Sequence, residues 1–151
     1  MILLLPAAAG ADGQWVLESS DAAALYQDAG NTITDETATK AVRPRLEFSC
    51  TPGDSAVTAQ IDWKRFISSF RTEVGFKVDD GQFAWHKWKV DRSEKVTVST
   101  SPEDTRKLID TLSDGKSLVV EITPYSEGPV VAEFDLAGFV AALGKLKDNC
   151  G

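Results

Sequence analysis

RLEFSC, running from Arg45 to Cys50, is the stretch whose reading decides the fold. Leu46, Phe48 and Cys50 fall on one side of it, and Arg45, Glu47 and Ser49 on the other. That period of two marks a half-buried strand, because successive Cβ atoms of extended backbone point to opposite faces. Cys50 therefore ends a core-facing row. The next four residues, Thr51, Pro52, Gly53 and Asp54, are turn formers. Beyond them Ser55 to Trp63 alternates again, with Val57, Ala59, Ile61 and Trp63 inward and Thr58, Gln60 and Asp62 outward. Two alternating segments across a tight turn predict a β-hairpin.

Toward the N-terminus, Trp15 to Glu18 reads as a first strand, and Asp21 to Tyr26 as a short element of either type. Gly30 and Asn31 signal a turn. Toward the C-terminus, Thr72 to Val78 alternates through Val74, Phe76 and Val78, and Asp79, Asp80 and Gly81 supply a turn. Phe83 to Val90 and Lys95 to Val98 continue the sheet. A helix start follows, with Ser101 as N-cap, Pro102 at the first position and Glu103 and Asp104 where the dipole favours acids. Leu108, Ile109 and Leu112 give this helix its apolar side, and Gly115 ends it. Ser117 to Thr123 and Pro129 to Asp135 predict a second hairpin around Pro124 to Gly128. Ala137 to Lys147 reads as a closing helix. Phe139, Leu143, Leu146 and Cys150, spaced four, three and four, form one helical stripe, with Cys150 just past the helix end. The expected fold is α+β: an antiparallel β-rich sheet or sandwich with two helices, the C-terminal one packed on the sheet.

The chain has 151 residues, 42% of them hydrophobic, with four Trp and seven Phe, enough for one domain with a real core. Sixteen basic residues against 23 acidic ones leave a net charge of -7, with no Lys/Arg-rich run. Nucleic acid is excluded as a partner on that ground, because phosphate binding needs concentrated positive charge. Residues 1–11, MILLLPAAAGA, read as the apolar part of a secretory leader, with Ala9 and Ala11 at the spacing a signal peptidase accepts. The run is short and lacks basic residues before Ile2, so the leader is incomplete or the start misassigned. Residues 12–151 form the single expected domain. No later apolar run reaches the roughly 20 residues that span a bilayer. In an oxidising compartment Cys50 and Cys150, both core-facing by periodicity, would pair and pin the last helix to the sheet. In a cytosolic protein the same two would be buried thiols. Two Cys and one His leave a zinc ligand set incomplete, so no metal is expected.

A set of landmarks resembles a known family. Trp15 with Ser20 and Asp21, then Pro44, Leu46 and Cys50, then the Val78 to Gly81 turn and Trp88, occur in its order. The best-matched part is the end: Val119 to Tyr125, which contains VEITPY, then Ala132, Phe134, Asp135, Leu136, Gly138, Ala141, Leu143 and Cys150. Together they resemble the exported type VI secretion-associated family called VasI or TagO, across Trp15 to Cys150. The resemblance implies a periplasmic accessory protein and carries over no catalytic residue. Other small exported families, including invasion-associated locus B, also close with an apolar helix after a Phe-rich strand.

The candidate contact surface is the strand holding Phe83, Trp85, His86, Lys87 and Trp88. Alternation sends Phe83 and Trp85 to one face and Trp88 to the other, so burying both Trp requires cover on both sides. Exposed aromatics beside Lys are common binding anchors. His86, the sole histidine, is a candidate pH-sensitive contact, against the simpler reading of a strand residue among aromatics. Asp79, Asp80, Glu103 and Asp104, and Asp35 with Glu36, fit turns and a helix start better than catalytic pairs or calcium loops. The expected function is that of a periplasmic accessory binding protein, associated with a type VI secretion or cell-envelope complex. It would act by protein–protein contact with an envelope or secretion-system protein, without catalysis and without a cofactor. Two other classes stay open: a secreted inhibitor of a cell-wall hydrolase such as lysozyme, and a carboxylate-dependent hydrolase.

Overall fold

A computed structural model describes residues 15–19, 22–35 and 40–150. The leader-like residues 1–11, and also Ser20, Asp21 and Glu36, lie outside them. The described residues form β1 (Val16–Ser19), β2 (Ala23–Asp28), β3 (Ile33–Asp35), β4 (Lys40–Val42), β5 (Arg45–Cys50) and β6 (Thr58–Asp62). Then come β7 (Thr72–Val78), β8 (Ala84–Val90), β9 (Val96–Val98), α1 (Pro102–Ser113), β10 (Ser117–Ile122), β11 (Val130–Asp135) and α2 (Phe139–Cys150). The fold is α+β, as the alternation and the two helical patterns predict.

Nine strands make one antiparallel sheet in the order β1-β2-β5-β6-β9-β8-β7-β10-β11, and β3 and β4 pair separately. The two predicted hairpins are present, β5 with β6 and β10 with β11. The inward rows fill the core: Leu46, Phe48 and Cys50 from β5, Ala59 and Ile61 from β6, Val74 and Phe76 from β7, Leu118, Val120 and Ile122 from β10. The outward positions of β5 and β6 stay polar: Arg45, Glu47, Ser49, Thr58, Gln60 and Asp62. α1 begins as expected, with Ser101 Oγ accepting from the Asp104 N–H at 3.1 Å and Pro102 in the first turn, and it buries Leu108, Ile109 and Leu112. α2 lies on β1, β2 and β5, where Phe139 packs against Phe48 and Trp15 with ring centroids 5.3 and 5.2 Å apart.

The sheet curls until its two ends meet. β1 covers β2 only as far as Tyr26, opposite Val16. Past that point the chain meets the outer edge of β11. Gln27 is 2% exposed, and its amide both donates to Asp135 C=O and accepts from Asp135 N–H, each at 2.8 Å. Asn31 does the same one pair further on, donating to Val131 C=O at 2.9 Å and accepting from Glu133 N–H at 2.8 Å. Gly30 N–H donates to Glu133 C=O at 2.8 Å.

Cys50 and Cys150 form a disulfide with Cα atoms 5.7 Å apart, closing a separation of 100 residues. One expectation needs correction: Cys150 is the last residue of α2, not a residue beyond it. The helix continues because Lys147, Asp148 and Asn149 keep the stripe in phase and stay exposed while Leu146 and Cys150 are buried. The adjoining Gly53 N–H donates to Cys150 C=O at 2.7 Å, so the β5–β6 turn also caps the helix. Removing the bond frees a loop worth on the order of 4 kcal/mol in the chain-entropy model. The Cys50→Ser/Cys150→Ser protein should melt well below the wild type. Hydrogen exchange of the reduced protein should show α2 losing protection before β7, β8 and β10; uniform loss would contradict this placement.

Candidate functional site

β8 has two chemically different faces. Its inward side carries Trp88, fully buried and 5.2 Å from the Phe76 ring, and His86, edge-on to the same ring. Both polar tips reach one carboxylate in the first turn of α1: Trp88 Nε1 donates to Asp104 Oδ2 at 2.8 Å, and His86 Nδ1 lies 2.7 Å from Asp104 Oδ1. A carboxylate oxygen only accepts, so Nδ1 carries the proton. This cluster fastens the start of α1 to β8. The structure thus places His86 and Trp88 in the packing, apart from the other three candidates.

The outward side carries Trp85 and Lys87, both exposed, followed by Lys89, and Phe83 just before the strand. Trp85 is 49% exposed and stacks on Phe83 with centroids 5.6 Å apart and planes 30° from parallel. Directly opposite Trp85 on β7 is Gly75. A Cβ built there would stand 2.8 Å from two atoms of the Trp85 ring, so the indole lies over the one position in this row without a side chain. Glycine is required here for close approach, since β7 continues on both sides without a turn. Packing on one face and stacking on its neighbour hold the ring while the rest of it meets solvent.

Around the indole is an open groove of about 620 Å³, lined by Arg71, Thr72, Glu73, Trp85, Lys87 and Thr123. At its β7-start end, Phe70 and Tyr125 are 59% and 60% exposed and meet edge to face with centroids 5.8 Å apart. Sequence reading missed this pair, because Phe70 lies before the alternation of β7 and Tyr125 inside a predicted turn. It also missed Arg65, which is only 1% exposed. Arg65 donates to Thr34 C=O and Phe66 C=O at 2.9 Å each and to Glu127 Oε2 at 2.5 Å, while Tyr125 N–H donates to Ile67 C=O at 2.9 Å. These bonds anchor the β10–β11 turn, and with it Tyr125, onto the segment before β7.

The acidic candidates have structural partners. Asp79 adopts a left-handed φ of 53°, and its carboxylate accepts from the Lys116 and Ser117 N–H groups at 3.0 Å each. Those backbone bonds hold its carboxyl below the ordinary value of 3.8. Asp104 serves His86 and Trp88, and exposed Glu103 lies 4.0 Å from Lys107 one turn on. Among the described residues, no cluster of three or more His, Cys, Asp or Glu could hold a metal ion. No helix among them is long and apolar enough to cross a membrane.

No protein-family model matches the chain, and no curated protein matches it. Among solved structures, the chain is similar to invasion associated protein B from Bartonella henselae, with a TM-score of 0.55 and 15% identity, over 88% of this chain and 91% of that one. At that identity the likeness defines the fold: a shared β-rich α+β architecture.

Two substitutions test the site geometry. Gly75→Ala should lift the indole, shifting Trp85 fluorescence to the red, and should cost less in a Trp85→Ala background, where only the Phe83 ring at 3.0 Å still meets the new Cβ, a coupling of about 1 kcal/mol. Additive effects would show that the two do not touch. Asp79→Asn tolerates the left-handed backbone but removes the charge. Since the folded pKa is depressed, the charge stabilises fully above the unfolded value and ceases to do so as pH falls through the folded one. The variant should melt below the wild type at neutral pH, with the gap closing as pH drops below 3.8; a pH-independent gap would count against it.

Proposed function

We propose that this chain is an exported accessory protein of the bacterial cell envelope that holds a partner protein on the outer face of β7, β8 and β10 and catalyses no reaction. The observation that carries this is Trp85: a large indole, half exposed, fixed against Gly75 and Phe83 at the mouth of a groove flanked by cations. A pre-positioned aromatic loses little entropy when it is covered, which is why such side chains anchor interfaces.

Export is supported by the leader-like start and by the disulfide, since such bonds persist in oxidising compartments. The similar solved structure is that of an invasion associated protein, which accords with a protein acting outside the cytoplasm. The VasI- or TagO-like order of landmarks makes a type VI secretion complex the first partner to test. The absence of a catalytic step is an inference from the structural engagement of Asp79, Asp104 and His86.

Photo-crosslinking decides the reading. A crosslinking residue in place of Thr123, on the groove wall, should trap a discrete envelope protein when the purified domain is mixed with a periplasmic and membrane extract. The adduct should disappear with Trp85→Ala, whose fold is intact by melting temperature. Equal adduct yield with and without the indole would refute this docking face.

A further inference from the structure

We infer that the partner segment held by this face is an acidic, extended peptide bearing apolar side chains; this rests on the docking reading above. The starting point is the distribution of charge. Although the chain as a whole carries -7, the outward positions of β7 and β8, with Arg71 just before β7, bear Arg71, Lys77, Lys87 and Lys89, against Glu73 on β7 and Glu121 on the neighbouring β10. None of these four cations forms an ion pair among the described residues, where the salt bridges belong to Arg45, Arg65, His86 and Lys107.

The other half of the sheet has the opposite sign. Its outward positions hold Glu18, Asp28, Glu47 and Asp62 around Arg45. The acids there sense one another: Glu47 is raised above its ordinary value first by burial, which Arg45 opposes and to which Glu18 and Asp62 add. A protein whose net charge is negative thus concentrates unpaired positive charge on one face, and that face also carries its exposed aromatics. Fields of this kind steer and select oppositely charged partners.

The shape of the surface narrows the partner further. From the Lys77–Phe83 end to the Arg71–Lys89 end is six residues of strand, about 20 Å at the usual rise. The groove between is open and runs beside the β7 and β8 strands, which suits an extended chain. Aromatics stand at both ends, Trp85 with Phe83 at one and Phe70 with Tyr125 at the other. An acidic polysaccharide would satisfy the cations and one indole but offers no apolar side chain to Phe70 and Tyr125. A peptide alternating acidic and apolar residues satisfies both sets at strand spacing.

The test is fluorescence anisotropy on the intact, oxidised protein with a labelled peptide alternating Glu and Leu. Its Lys/Leu counterpart and polygalacturonate serve as the other arms. The acidic peptide should bind and weaken about tenfold when ionic strength rises from about 0.05 to 0.5 M. Lys87→Glu/Lys89→Glu should weaken it at least tenfold at unchanged melting temperature, and Phe70→Ala should weaken it severalfold. Equal binding of the Lys/Leu peptide, binding of polygalacturonate alone, or indifference to the charge reversal would each overturn the assignment. If the Thr123 crosslink persists with Trp85 yet survives Lys87→Glu/Lys89→Glu, the docking face stands and the acidic partner falls. If the crosslink is also indifferent to Trp85, both fall.

Discussion

The structure depends on how the sheet disposes of the outer edge of β11. An edge strand exposes alternate N–H and C=O groups, and left open these invite pairing with another chain. Here the row is Val131 C=O, Glu133 N–H and C=O, and Asp135 N–H and C=O, and each is met by Gln27, Gly30 or Asn31. A primary amide presents a donor and an acceptor with the spacing of a peptide group, so Gln27 and Asn31 act as a discontinuous strand. Because the pairing of β1 with β2 reaches only Tyr26, opposite Val16, this part of the chain is free to do so. The contacts fix the curl of the whole sheet, and the curl decides which face of β8 is enclosed.

Once β8 is enclosed on one side, the roles of its residues follow. Trp88 and His86 must find polar partners in the interior, since an unpaired buried N–H costs on the order of 1–3 kcal/mol. Asp104 supplies both from the start of α1. Trp85 and Lys87 are left on the outside by the period of two. Glycine at 75 lets the indole settle on the backbone instead of standing on a neighbouring side chain. Arg65 does the corresponding work at the other end of the face: its buried guanidinium joins the β3 strand, the segment before β7 and the β10–β11 turn. A buried ion pair of this kind contributes position more than net stability, because desolvation offsets much of its attraction.

What was legible in the sequence was whatever has a short period. Leu46, Phe48 and Cys50, or Val57, Ala59 and Ile61, declare their face within a few residues, and both hairpins and both helices follow. β3 and β4 were not legible: three-residue strands, Ile33–Asp35 and Lys40–Val42, are too short to establish alternation. Asp21 to Tyr26 could not be typed, because the strand is Ala23–Asp28 and its inward row runs Ala23, Leu25 and Gln27, where a glutamine reads as solvent-facing until its distant partner Asp135 is known. Arg65 was invisible for the same reason, its partners lying at Thr34 and Glu127. For the candidate strand, parity separated Trp85 from Trp88, but only the tertiary position of Asp104 shows which of the two is enclosed.

The same distinction separates folding from binding. Gln27, Arg65 and Trp88 are buried and Asp104 holds two buried-side partners, so changes at them propagate into the curl and the packing of α1. Arg71, Glu73, Lys87 and Thr123 are exposed, and they line open space. Local propensity and core packing do not require four unpaired cations on one face of an acidic protein. Nor do they require an indole spread over glycine where a β-branched residue would suit the strand. A face that departs from the preferences of the fold while leaving its core intact has room to be shaped by what binds it.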